Sequence, residues 1–204
     1  MGHKRLVLTH LAESSTIKSE KADLVKKVLE VAGKAIALAE MEFSSDKGLR
    51  ALLNMHLADG LISYSEHSSG ENKDDVLLNA LELVTKSIDH LGGSVAHKAW
   101  GLNKKAQIHH LFGETKEAFE ALEKAERSIF HGFDEETKSE KDGLMKIKIW
   151  LTGIWLTHAK IAIDQNKSEL AKIYANAVIG IPDDDKTLTL RKNQAERILS
   201  ETNN

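Results

Sequence analysis

The chain contains no cysteine and only one proline, and each shortage excludes a class of structure or chemistry. Without cysteine there are no disulfides, no thiolate nucleophile and no thiolate metal site, which suits a reducing compartment and predicts a cytoplasmic protein. Proline breaks the hydrogen bonding of a helix, so the single Pro182 favours long uninterrupted helices. Aromatic residues are also scarce, at 5% of the chain.

Neither an excess of one charge nor a long apolar run is present. The 28 basic and 31 acidic residues leave a net charge of -3, so we expect no nucleic-acid partner. The longest apolar stretch, residues 144–163, includes Lys146, Lys148 and Lys160, which are costly in lipid. We expect a buried helix there, no signal peptide in the short apolar patch of residues 1–8, and no membrane partner.

Apolar residues recur at intervals of three and four along most of the chain, a pattern typical of helices. With 41% hydrophobic residues the chain can bury a substantial core. We therefore predict an all-α fold of about eight helices. The expected spans are 20–43, 47–67, 74–91, 95–112, 114–130, 137–165, 168–179 and a last helix that residues 183–185 cap and that ends near Ser200. Residues 44–46 are expected to cap the second of these helices, and Ser94 is expected to cap the fourth.

A spaced set of small residues occurs more than once. Ala106, Ala118 and Ala125 are matched 53 residues later by Ala159, Ala171 and Val178. Residues 118–125 also match residues 80–87, and Ala58 corresponds to Ala106 when a loop of about ten extra residues is allowed near positions 68–75. This predicts three helix pairs at 49–91, 95–130 and 139–180, together spanning 49–182, between an N-terminal segment with a capping helix (1–48) and a C-terminal capping helix with a frayed tail (183–204).

The same positions resemble the tetratricopeptide repeat family, in which a bulky residue, small residues and a turn follow a fixed order. That order is kept by Leu102, Ala106, Gly113, Ala118 and Ala125, and again by Trp155, Ala159, Asn166, Ala171 and Val178. The resemblance implies antiparallel helix pairs stacked as a superhelix. The chain departs from the family pattern at Lys105 and His158, where leucine is usual, and at Gly132-Phe133, where proline is expected, so a looser helical repeat or a helical bundle stays open.

The resemblance further implies that the first helix of each pair lines a concave groove. Amide and lysine side chains in such grooves can hold a peptide backbone or a carboxylate. The residues assigned to this partner-binding groove are His56, Asp59, Trp100, Asn103, Lys104, Gln107, His110, Lys160 and Asp164. The alternative is that these side chains form the solvated face of amphipathic helices.

We find no catalytic, metal or nucleotide signature in the sequence. The ten histidines lack the i,i+4 pairing of helical metal sites, and solvated or packing roles explain them better. The acidic clusters 74–75, 134–136 and 183–185 are expected at helix starts, where they complement the helix dipole. The sequence therefore predicts no enzyme, no metal and no cofactor.

The preferred interpretation is a non-enzymatic protein-protein interaction module, a scaffold or regulatory adaptor that binds a peptide or protein segment. The alternative is a helical sensory domain that recognises a small molecule or a signalling peptide, and an enzyme with an unfamiliar site is a third hypothesis. The chain can also form a homo-oligomer, because the last helix carries Leu188, Ala195, Ile198 and Leu199 on one face.

Overall fold

A computed structural model describes residues 18–42, 45–67, 73–139 and 142–202. Within these ranges every regular element is a helix, which confirms the all-α prediction. The eight described helices are α1 (Lys18–Glu42), α2 (Lys47–His67), α3 (Lys73–Ile88), α4 (Val95–Leu111), α5 (Thr115–Ser139), α6 (Gly143–Asp164), α7 (Ser168–Gly180) and α8 (Thr189–Thr202). Several predicted features lie outside the described residues. They are the opening patch 1–8, the predicted end of the first helix at Phe43, the predicted cap residue Ser44, most of the loop 68–75 and the last two residues.

Among the described helices, none is both long enough and apolar enough to cross a lipid bilayer. The apolar stretch 144–163 forms most of α6, and Ile147, Ile154 and Ile161 on this helix are buried. The prediction of a buried helix at this stretch is therefore confirmed.

The chain divides into two compact units, and the first, which ends at Gly92, contains α1, α2 and α3. Helix α2 packs against both neighbours in sequence. Its start is capped as the sequence predicts, because Oδ1 of Asp46 accepts a hydrogen bond from the Leu49 amide at 2.9 Å. Met55 of α2 and Leu77 of α3 are fully buried in this unit.

The second unit begins at Gly93 and contains α4 to α8. Helices α4 and α5 are joined by a tight turn at Gly113 (φ 78°), and α6 and α7 by one at Asn166 (φ 57°). Glycine and asparagine are the residues that adopt this left-handed conformation most readily, so each turn reverses the chain into a helical hairpin. Helix α6 packs against α4, α5, α7 and α8, and α8 also packs against α7.

The small residues of the repeated spacing all lie in the interior. Each of the nine positions, three in every proposed pair, is buried: Ala58, Ala80, Ser87, Ala106, Ala118, Ala125, Ala159, Ala171 and Val178. Small side chains at buried contact positions let neighbouring helices approach closely. This burial supports the repeat register, whereas membership of the tetratricopeptide family stays a prediction.

The boundary between α5 and α6 differs from the prediction. Helix α5 continues to Ser139 instead of ending near Phe130, and α6 begins at Gly143 instead of residue 137. Gly132, interpreted from the sequence as part of a turn, lies inside α5, where an added Cβ would overlap the side chain of Val95 on α4. This glycine therefore marks a close approach between two helices, and the helix continues through it.

Two of the three acidic clusters have roles other than those predicted. Asp74 and Asp75 lie in the first turn of α3, as expected. Residues 134–136, however, lie inside α5, and the buried Glu136 accepts hydrogen bonds from Ser94 Oγ at 2.6 Å and from the Val95 amide at 2.9 Å. The carboxylate thus caps the start of α4, together with the predicted cap Ser94, whose Oγ accepts from the His97 amide.

Helix α8 also starts later than the sequence predicts. Asp183 and Asp185 accept hydrogen bonds from the amides of Leu188 and Thr187, so they stabilise a turn that precedes the helix at Thr189. The apolar side of α8 packs within the second unit, where Leu188, Ala195 and Ile198 are buried. Self-association through these side chains stays a prediction.

Candidate functional site

The polar residues predicted to face a groove on α4 lie next to α6. Gln107 Nε2 donates a hydrogen bond to Thr157 Oγ1 at 3.1 Å, and Lys104 Nζ donates to Gln107 Oε1 at 3.1 Å. Thr157 Oγ1 in turn donates to the carbonyl oxygen of Gly153 at 3.1 Å. The structure therefore brings Lys104 and Gln107 together in one polar chain that joins α4 to α6.

Asn103, one turn before Gln107 on α4, is a buried polar residue with an incomplete set of hydrogen bonds. Only 3% of Asn103 is exposed, and its Oδ1 has no hydrogen-bond partner among the described residues. In the repeat register the same position is occupied by Met55 and Leu156, which are buried and apolar. Asn103 is thus a polar exception at a core position.

Gly153 on α6 lies opposite this amide. A Cβ added to Gly153 would lie 3.5 Å from Asn103 Nδ2 and 3.5 Å from Nη2 of Arg191 on α8. The amide and the guanidinium therefore approach the same point, over a stretch of helix backbone that lacks a side chain. We call Asn103, Gln107, Gly153, Thr157 and Arg191 the amide cluster.

Sequence reasoning missed Arg191 and Gly153 as members of this cluster. The repeat register places the groove on the first helix of each pair and makes the last helix a cap, so it does not predict a role for Arg191. The position of Gly153 could have been recognised from the sequence, because an isolated glycine inside a strongly helical stretch often indicates close approach of another group.

Farther along the same two helices, His110 and Asp164 form a contact. His110 Nε2 lies 2.7 Å from Asp164 Oδ2, and the carboxylate side chain is well exposed. Lys160 is exposed one turn before Asp164. The structure therefore places these three predicted groove residues near the solvent-facing end of the contact between α4 and α6.

Trp100 is placed differently from the groove anchor that the sequence suggested. Only 2% of Trp100 is exposed, and its ring stacks on that of Trp150, with centroids 4.9 Å apart and an angle of 15° between the planes. Stacked aromatic side chains of this kind contribute to packing. We therefore leave Trp100 out of the amide cluster.

His56 and Asp59 lie on α2 in the first unit, and both are half-buried and engaged in interactions. The structure does not assign them to the amide cluster, all of whose residues belong to the second unit.

A second polar group lies in the packing between α5, α6 and α7. Only 6% of His158 is exposed, and its ring stacks on Tyr174 at a centroid distance of 4.5 Å. His158 Nε2 lies 3.6 Å from Glu126 Oε1, which accepts a hydrogen bond from Trp155 Nε1 at 3.1 Å. Histidine at this register position packs in the interior, one of the roles expected from the sequence.

Burial determines the protonation of this group. Desolvation lowers the pKa of His158 to about 4, so the imidazole is neutral near pH 7. Desolvation also raises the pKa of Glu126, and the hydrogen bond from Trp155 opposes that rise. The pKa of Tyr174 is raised by burial and by the nearby Glu126 carboxylate.

Comparison of the chain with protein-family models, with curated proteins and with solved structures finds no match.

Proposed function

We propose that this protein is a non-enzymatic interaction module, a tetratricopeptide-like helical repeat that binds a peptide or protein segment across the amide cluster. It would act as a scaffold or regulatory adaptor in the cytoplasm, where a chain without cysteine is at no disadvantage. The single observation that carries the proposal is Asn103, a buried amide whose Oδ1 accepts no hydrogen bond from the described residues.

A buried polar atom without a partner costs free energy, about 1–3 kcal/mol for a neutral group. The other two copies of the repeat avoid this cost with Met55 and Leu156 at the same position. An amide at such a position is explained if a binding partner supplies the missing hydrogen bond.

The chemistry of the amide cluster matches that of a peptide backbone. A carboxamide accepts a hydrogen bond from a backbone N–H and donates to a backbone carbonyl, and rotation of the amide exchanges the two roles. Arg191 adds a guanidinium that binds carbonyl or carboxylate oxygens, and Lys104 adds a positive charge nearby. Binding at the buried Asn103 requires the long side chains of Lys104, Gln107 and Arg191 to move aside.

The test is selection of binders from a library of displayed random peptides, followed by measurement of affinity with synthetic labelled peptides. Asn103→Leu and Arg191→Met should each weaken the selected peptides by about tenfold or more, because each removes hydrogen bonds to the partner. Asn176→Leu is the matched control, since Asn176 is exposed on α7. Peptides that bind Asn103→Leu as well as the unchanged protein would contradict the proposal, as would a selection that yields no binder.

A further inference from the structure

A cavity of about 530 Å³ lies within the first unit, among α1, α2 and the end of α3. Ligand-binding pockets commonly have volumes of about 300–1,000 Å³. Its polar lining residues are Lys47, Arg50, Asn54, Lys86, Ser87 and His90.

The charge of this lining is of one sign. Lys47, Arg50 and Lys86 are cationic, and no carboxylate occurs among the described residues that line the cavity. Lys86 shares its charge with Glu82 one turn earlier, through an exposed ion pair that lowers the pKa of Glu82. Arg50 has no such partner in the described part of the chain, and its Nε is buried without a hydrogen bond. Among the described lining residues, Arg50 therefore carries a positive charge that no carboxylate of the lining neutralises.

Ser87 provides a second unpaired group. Only 1% of Ser87 is exposed, and its Oγ has no hydrogen-bond partner among the described residues. In the repeat register this position is Ala125 in the second pair and Val178 in the third, and both are fully buried. The first copy alone places a hydroxyl at this small buried position.

Asn54 explains why the first copy has space for a cavity. The same register position holds Leu102 in the second pair and Trp155 in the third, and both side chains pack against the core of the second unit. The first copy replaces these bulky apolar side chains with the shorter amide of Asn54. Packing space that is filled in the other copies is thus exchanged for a polar cavity.

We propose that this cavity binds a small phosphate monoester whose organic part is apolar. A guanidinium fork pairs with phosphate oxygens, lysines stabilise the second negative charge, and the Ser87 hydroxyl donates to a phosphate oxygen. The apolar side of the cavity, lined by Ile36, Ala51 and Leu53, contacts the organic group. A phosphate fits better than a carboxylate because the cationic groups exceed what one negative charge would neutralise. This site is separate from the peptide-binding role proposed for the amide cluster.

Isothermal titration calorimetry of the full chain with four probes tests this proposal. Phenyl phosphate should bind saturably with one site per chain. Benzoate and inorganic phosphate should each bind about tenfold more weakly, because one lacks the second charge and the other lacks the apolar group. Benzyl alcohol should give no saturable heat. Equal affinity for benzoate and phenyl phosphate would overturn the assignment of a phosphate ligand.

Variants then locate the site. Arg50→Met and Ser87→Ala should each weaken phenyl phosphate binding, the first by about tenfold or more and the second by less, because a charged hydrogen bond is stronger than a neutral one. Lys34→Met, which removes one exposed positive charge from α1, is the matched control and should bind unchanged. Similar losses in Lys34→Met and Arg50→Met would overturn the proposal, because they would indicate attraction to overall charge.

The Asn54→Leu variant distinguishes loss of the binding site from loss of the fold. It installs the residue that the second copy carries, so it should fill the cavity, abolish phenyl phosphate binding and leave the helical circular dichroism and melting temperature the same or higher. A stable Asn54→Leu variant that still binds phenyl phosphate would overturn the proposal. Peptide binding by the amide cluster should be unchanged in this variant, so the two proposals can fail independently.

Discussion

Asn103→Leu should make the second unit more stable while removing its proposed binding function. Leucine has nearly the shape of asparagine and places two methyl groups where the amide oxygen and nitrogen lie. The substitution removes a buried acceptor that has no partner among the described residues, and it restores the apolar character of Met55 and Leu156 at the same register position.

The expected gain follows from the cost of the unpaired group. An unsatisfied buried acceptor costs about 1–3 kcal/mol, and replacement by an apolar group of the same shape can recover that free energy. Crowding against Gly153 and Arg191 offsets part of the gain, so we expect the free energy of unfolding to rise by about 1–2 kcal/mol. For a chain of this size that corresponds to a melting temperature higher by about 2–8 °C.

Urea unfolding followed by tryptophan fluorescence is the appropriate assay. All three tryptophans, Trp100, Trp150 and Trp155, lie in the second unit, so the fluorescence reports the unit that contains Asn103. Asn176→Leu, a change of the same chemistry at an exposed site, should leave the transition within about 0.5 kcal/mol of the unchanged protein. A loss of more than about 1 kcal/mol in Asn103→Leu would refute the reasoning, because it would show that the amide makes hydrogen bonds the fold requires.

The same fluorescence assay tests two further predictions about the second unit. The His158 side chain stays neutral in the folded protein but takes up a proton below about pH 6.5 in the unfolded chain. The free energy of unfolding should therefore fall by about 2 kcal/mol between pH 7.5 and pH 5. The measurement uses a Glu126→Gln background, because the raised pKa of Glu126 would have the opposite effect on stability. Adding His158→Leu should abolish that fall, and an unchanged pH dependence would contradict the assignment. Gly132→Ala should destabilise by about 1–3 kcal/mol through overlap with Val95, and Val95→Ala should restore most of the loss, whereas no recovery would locate the cost elsewhere.

Helix type and most turns could be predicted because their causes are local. The left-handed turn residues Gly113 and Asn166, the Asp46 cap and the burial of the nine small positions follow from short-range geometry and periodicity. The end of α5 could not be predicted in the same way. Glycine is a residue type typical of turns, so the sequence around Gly132 predicts a turn. Only the close contact with Val95, which is distant in the sequence, explains why a glycine lies inside this helix.

The candidate site was predicted in part for a similar reason. The spacing of Asn103, Lys104 and Gln107 on one helix indicated a shared face, and the structure joins that face to Thr157 of α6. Whether a residue on that face is open or covered depends on neighbouring helices, which spacing does not reveal. Two residues show this. Trp100 is covered by Trp150 of the neighbouring helix, and Arg191 reaches Gly153 from α8, a helix that the repeat pattern does not include.

The cap that Glu136 places on α4 ties the start of one helix to the end of the next. Ser94 and Val95 obtain this partner only after some forty residues more of chain have folded back, so the first turn of α4 gains its full hydrogen bonding late in the formation of the hairpin. A chain cut after Phe130 would keep every small residue of this pair yet lose the carboxylate. A fragment that keeps this cap must therefore extend to Glu136, beyond the predicted helix pair 95–130.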